Sequence, residues 1–258
     1  MSSEPAVVGV AAGVPFVARP PLHDPVGAPL VVVLHLMDAP RTEVAMASAL
    51  PMEKVAAWRV YLGLPMTGSR LPPGGVDEVM RLGYEDALMN LIAPVPEQAA
   101  AELPAAVGAL RDELPVDGGP IGLVGGSAGG AAVLLALAEG PLPVFGAALV
   151  NAAVRATDVI AAGERVFGVS YRWTHAGRRV ADRLDFVSRA REIASGDPQP
   201  DLLLVNGEDD DPAFPASADA LYRALLPYYS SLDRVTKVRI PGLGHPLAEE
   251  PGLATTLP

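Results

Sequence analysis

Short apolar runs alternate with helix-length amphipathic segments along most of the chain. The run Leu30–Leu34 (LVVVL) is continuous and β-branched, as expected of a strand covered on both faces. Similar runs at 59–62, 121–124, Val144–Val150, 202–205 and Val235–Ile240 read as strands, and 6–19 as one or two more at a sheet edge. Between them, 43–50, 96–114, 128–139 and 216–227 read as helices, the second with Pro96 near its start. A Pro/Gly-rich stretch, 64–75, reads as a loop. Strands alternating with helices imply βαβ units, a mainly parallel sheet and an α/β class. Residues 153–199 break this rhythm. They are helical by pattern, mix charges with Phe167, Tyr171 and Trp173, and fall between two core strands. Two readings of 154–199 stay open: a cap or lid insertion, or a crossover helix with a long loop. No internal repeat or low-complexity linker appears, and 258 residues suit one domain, 1–258.

The most informative stretch is Gly125-Gly126-Ser127-Ala128-Gly129, between the strand at 121–124 and the Ala/Leu-rich helix at 128–139. G-x-S-x-G at a strand–turn–helix junction is the signature of a nucleophile elbow. Its glycines allow a tight bend, and the first helical turn offers free N–H groups to a developing oxyanion. Glycine-rich turns also bind dinucleotides and phosphates, but neither spacing fits. Gly122, Gly125, Gly129 and Gly130 do not make G-x-G-x-x-G, and no Gly-Lys-Ser/Thr is present.

A serine hydroxyl needs a base, and the base needs an orienting carboxylate. With this elbow the partners follow in the order Ser, acid, His. Of His23, His35, His175 and His245, only His245 comes late and follows a core strand, in the glycine-flanked loop Gly242-Leu243-Gly244-His245-Pro246. The acid belongs on the loop after 202–205, which reads Glu208-Asp209-Asp210-Asp211. Asp210 is the first choice, three residues past Gly207, with Asp209 and Asp211 as alternatives. Asp211 also suits capping of the helix after Pro212. For the oxyanion hole, Ala128 N–H is one donor, and the loop after Leu34 supplies the other, Met37 ahead of Leu36. His35 reads as shaping that loop.

Composition narrows the classes. A net charge of −11 argues against nucleic acid and against anionic membranes as partners. With no cysteine, disulfides, thiolate catalysis and Cys-based metal sites are excluded, and no cofactor or metal is expected. A calcium site in the acidic loop fails on EF-hand spacing. The apolar stretch 6–18 has no basic n-region and is interrupted by Gly9, Gly13 and Pro15, so no secretory signal is read and a cytoplasmic location is expected. No uninterrupted apolar run is long enough to span a bilayer.

On these residues the chain resembles the α/β-hydrolase fold superfamily over essentially its whole length: LVVVLH at 30–35, WRVYL at 58–62, GLVGGSAGG at 122–130, LLLVNGEDDD at 202–211 and GLGHP at 242–246. The resemblance implies an eight-stranded, mainly parallel sheet flanked by helices, with Ser127 as nucleophile, His245 as base and Asp210 as acid. The expected activity is cleavage of a small-molecule carboxylic ester, or a related acyl bond such as a thioester, through an acyl-enzyme. Thioesterase, acyltransferase, lactonase and prolyl-oligopeptidase-like peptidase are the enzymatic alternatives. A ligand-binding protein on a hydrolase scaffold is the non-enzymatic one. Met37, Met66 and 154–199 are expected to build a mostly apolar pocket favouring uncharged acyl groups. Two departures stand out. Leu36 replaces the glycine common after the histidine, which would narrow the acyl pocket or alter the loop. Only 13 residues follow His245, where family members continue into a final helix. Either the sequence stops short of the natural C-terminus or that helix is absent, leaving an apolar face for a partner subunit to cover.

Overall fold

The apolar runs assemble around β3 (Leu30–Leu34), which is buried at every position. The structure, a computed structural model, describes residues 6–248. β1 (Val7–Ala11) and β2 (Val14–Arg19) form an antiparallel hairpin, and β2 runs antiparallel to β4 (Trp58–Leu62). The other neighbours are parallel: β4 to β3, β3 to β5 (Ile121–Gly126), then β6 (Val144–Val150), β7 (Asp201–Gly207) and β8 (Val235–Ile240). The sheet has eight strands in the order β1-β2-β4-β3-β5-β6-β7-β8. The chain moves outward from β3 to β4 and then returns to its other side with β5. Strand order therefore reverses there, and the crevice at the strand C-termini is where such sheets bind ligands.

Two apolar layers cover the sheet, and the pleat assigns residues to each. Leu30, Val32 and Leu34 join one core layer with α3 (Pro94–Glu113), α4 (Ala128–Glu139) and α8 (Ala213–Leu225). Val31 and Val33 join the other, with Met46 and Ala47 of α1 (Glu43–Ala49) and with Leu243 and Leu247. Thr42 starts α1 by accepting the Ala45 N–H through its hydroxyl at 3.1 Å. α4 is buried from Gly129 to Ala136, which explains a sequence apolar on every side.

The segment between β6 and β7 carries α5 (Ala156–Phe167), α6 (His175–Arg183) and α7 (Ala190–Ile193). One helix escapes the pattern reading: α2 (Gly75–Ala87), continued by a π-helical turn at Leu88–Ile92. No α2 residue is fully buried, and Val76, Met80 and Tyr84 face outward. The helix is only half-buried on its inner side, with Ala87 packed on the core, and it begins at the end of the Pro/Gly-rich stretch. The final helix anticipated after His245 falls in 249–258, outside the described residues. Among the described residues no helix is long and apolar enough to cross a membrane.

Candidate active site

The elbow forms where β5 meets α4. Ser127 has φ +46° and ψ −114°, a conformation that non-glycine residues rarely hold, and its N–H donates to the Val150 carbonyl at 3.1 Å. The flanking glycines are a steric requirement. A Cβ on Gly125 would lie 2.4 Å from the Gly129 oxygen, and one on Gly129 would lie 2.4 Å from the His35 oxygen. Only bare backbone lets the helix come this close to β3 and β5.

Ser127 Oγ lies 2.9 Å from His245 Nε2, and His245 Nδ1 lies 3.0 and 3.1 Å from the two Asp210 oxygens. With a carboxylate on Nδ1, that nitrogen carries the proton and donates it, leaving Nε2 to accept from the serine hydroxyl. The Asp210 carboxylate is fully buried and the His245 ring mostly so. Phe214 stacks beside the imidazole, ring centroids 4.2 Å apart. The neighbouring aspartates are engaged elsewhere or solvated. Asp209 is exposed. Asp211 accepts the Ala213 N–H at 2.9 Å, capping α8, and pairs in bidentate fashion with Arg165 of α5 at 2.6 and 3.0 Å. The Arg165 guanidinium, with help from the Ala213 N–H, holds the Asp211 carboxyl below its usual range.

The remaining predicted residues divide. Ala128 opens α4 beside Ser127, where the first helical N–H groups lack a partner within the helix, and both Ala128 and Met37 line the cavity over Ser127. Leu36 does not narrow that cavity. It is fully buried and turned inward over Gly126, where its Cδ1 occupies the space of an absent Cβ. Met66 does not line the cavity either. It follows β4, one strand farther from Ser127 than β3, and packs on the core. His35 is fully buried with both ring nitrogens occupied. Nδ1–H donates to Leu36 O at 2.6 Å and Nε2 accepts the Leu64 N–H at 3.0 Å. Burial pushes its pKa down to about 4, so it is neutral at pH 7 and pins the loop bearing Met37 to the loop after β4. His23 and His175 are exposed and lie outside the cavity.

Two residues near the triad were not singled out by pattern. Asp38, half-exposed, places Oδ2 3.8 Å from His245 Nε2. Asn151, at the end of β6, hydrogen-bonds the loop that carries His245. The signal for Asn151 was a lone amide closing an apolar strand, and strand-end polar residues are too common to be decisive.

A cavity of about 430 Å³ opens over Ser127. Its walls are apolar: Ile92 from the π-helical turn, Val159 and Ala162 from α5, and Leu184 with Phe186 beyond α6. The charged residues lining it are Asp38, Asp209, Asp210 and Asp211. Among the described residues no group of three or more acidic, histidine or cysteine side chains is arranged to hold a metal ion.

The sequence profile of the prolyl oligopeptidase family matches residues 95–250, a span that contains Ser127, Asp210 and His245. Among solved structures, TT1662 from Thermus thermophilus superposes with a TM-score of 0.65 at 19% identity, covering 95% of this chain and 91% of that one. Acylaminoacyl peptidase from Pyrococcus horikoshii gives 0.63 at 15% identity, and the match spans 95% of this chain but only 38% of the peptidase. Est1E from Butyrivibrio proteoclasticus gives 0.59 at 16% identity over 95% and 90%. At these identities the likeness establishes the α/β-hydrolase fold. No curated protein sequence matches the chain.

Proposed function

The chain belongs to the prolyl oligopeptidase family, serine hydrolases of the α/β-hydrolase fold, and from that premise we propose that it hydrolyses carboxylic esters with Ser127 as nucleophile. The observation that carries the reading is the continuous hydrogen-bonded line from Ser127 Oγ through His245 to Asp210, with steps of 2.9 and 3.0 Å. In this reading His245 Nε2 takes the hydroxyl proton as Oγ attacks the acyl carbon. The Ala128 and Met37 N–H groups donate to the oxyanion. When the tetrahedral intermediate collapses, Nε2 returns the proton to the leaving oxygen, and the acyl group stays on Oγ. A water then attacks the acyl carbon, gives a proton to Nε2, and Oγ departs to recover it. Asp210 holds the Nδ1–H tautomer and balances the imidazolium.

The cavity volume, about 430 Å³, is in the range of small-ligand sites, about 300–1,000 Å³, and its apolar walls suit a small or medium uncharged acyl group. Residues 154–199 serve as a cap in this account, since α5 and 184–186 supply much of the wall. Peptide hydrolysis is the second reading, favoured by the family match over 95–250. The same groups would act on an amide, with Nε2 protonating an amine instead of an alcohol.

A matched panel tests both readings: p-nitrophenyl esters of increasing acyl length against acyl-peptide p-nitroanilides, each with wild type and Ser127→Ala. Ester turnover that peaks at short to medium acyl chains and vanishes in Ser127→Ala is the expected result. Anilide turnover exceeding ester turnover would select the peptidase. Equal ester turnover in Ser127→Ala would remove both.

A further inference from the structure

Asn151 closes β6 fully buried, in the left-handed backbone region at φ +46°, with its N–H donating to Val205 O of β7 at 2.9 Å. Its side chain bridges the two elements that present the acid and the base. Nδ2 donates to the carbonyls of Gly244 at 2.8 Å and His245 at 3.1 Å. Oδ1 accepts the Gly207 N–H at 2.8 Å. Gly207 ends the strand whose following loop carries Asp210, and Gly244 and His245 are the base loop itself.

We propose that Asn151 is a positioning residue for the Asp210–His245 pair. One amide fixes the base loop to the acid strand from β6, the strand beside the nucleophile's own. The chemistry calls for an amide: two donors meet two carbonyls while one acceptor meets an N–H. A carboxylate has no donor for the carbonyls, and an aliphatic side chain leaves three backbone groups, the Gly207 N–H among them buried, without this partner. Other backbone ties of the base loop lie to either side: Leu243 N–H to Ile240 O at 3.4 Å, Asp209 N–H to Leu243 O at 3.0 Å and Leu247 N–H to Ala39 O at 3.0 Å. At the backbone carbonyls of Gly244 and His245, among the described residues, the hold comes from Asn151. Loss of that hold displaces the imidazole while the cavity walls, built by α5 and 184–186, stay in place. The effect therefore belongs in kcat and not in KM.

The inference rests on the hydrolase reading, and the experiment separates the two. Asn151→Gly suits the positive φ and removes the clamp. Asn151→Asp keeps the size and the acceptor but not the donors, and carries the test if the glycine variant does not fold. Ester kcat is measured per active site, counted by burst titration, so that a merely structural loss lowers the count and not the rate. We expect kcat per site to fall about 10- to 100-fold in both variants, with KM changed less than about threefold. In an Asp210→Asn background, Asn151→Gly should lower kcat much less than it does alone, because the aligned pair is already gone. A kcat per site within about twofold of wild type, or full multiplication of the two losses, overturns the positioning role. Wild type without Ser127-dependent turnover overturns the hydrolase reading itself.

Discussion

Gly207→Ala should separate the acid from the base by a steric push with a calculable size. Gly207 ends β7, and a Cβ added there would sit 2.0 Å from the carbonyl oxygen of Leu243 and 2.7 Å from its carbon. Real Cβ atoms do not approach neighbours within 3.0 Å, so the base loop must retreat by at least about 1 Å. Both obstructing atoms are backbone, so no side chain can swing aside to absorb the clash. His245 Nδ1 stands 3.0 Å from Asp210, and a retreat of about 1 Å carries it to about 4 Å, past hydrogen-bond reach. A misplacement of that size lowers kcat about 100-fold, equivalent to about 2.7 kcal/mol in the barrier. Overpacking of this kind also lowers stability by about 1–3 kcal/mol. The assay is p-nitrophenyl acetate turnover per titrated site, beside a thermal melt. A folded Gly207→Ala protein with kcat within about threefold of wild type, or a loss confined to KM, would show that the base loop does not retreat from Asp210.

Among the acidic residues, Asp210→Asn should lower ester kcat most, about 10³- to 10⁴-fold, with Asp209→Asn and Asp211→Asn within about tenfold. A larger loss at either neighbour reassigns the acid; Asp211→Asn should show instead in the melting temperature, through its cap on α8 and its Arg165 pair. His35 makes stability depend on pH. Its pKa is about 4 folded against an ordinary 6.5, so the unfolded chain binds more protons between those values and stability falls as pH drops from 6.5 toward 4, by about 3 kcal/mol in all. Guanidine titrations across that window should show the fall, and an equal slope in His35→Gln would contradict the assignment. Asp38, 3.8 Å from Nε2, lines the cavity beside Asp209, Asp210 and Asp211, so the cavity mouth carries negative charge. Hydrolysis of a choline ester should therefore exceed that of the isosteric neutral 3,3-dimethylbutyl ester, with the preference reduced several-fold in Asp38→Asn and in high salt; no preference in wild type refutes it.

The sheet was readable because its central strands are buried on both faces and so carry uninterrupted apolar runs, Leu30–Leu34 most plainly. The elbow was readable for a steric reason: its two flanking glycines meet backbone at 2.4 Å, so their spacing is not free to vary. The carboxylate that meets His245 was harder. Four carboxylates in a row look alike in sequence, and only three-dimensional partners separate Asp210 on the imidazole from Asp211 on Arg165 and α8. Met66 was misplaced, and two readings of Leu36 stayed open, because an apolar side chain near a cavity can face either the cavity or the core, and sequence position does not say which. α2 was missed: none of its residues is fully buried, and it begins inside the Pro/Gly-rich stretch read as a loop. Asn151 was missed because its role is a set of three long-range hydrogen bonds, spanning 56 to 94 positions, that no local pattern encodes.

Whether an acyl group lands on Ser127 is the most direct test of the account. The protein is mixed with p-nitrophenyl acetate, quenched in acid during the burst, digested and analysed by peptide mass spectrometry. Acetyl is expected on Ser127, absent in Ser127→Ala and accumulating in proportion to released nitrophenol. Turnover with Ser127 unmodified, or undiminished in Ser127→Ala, would contradict it.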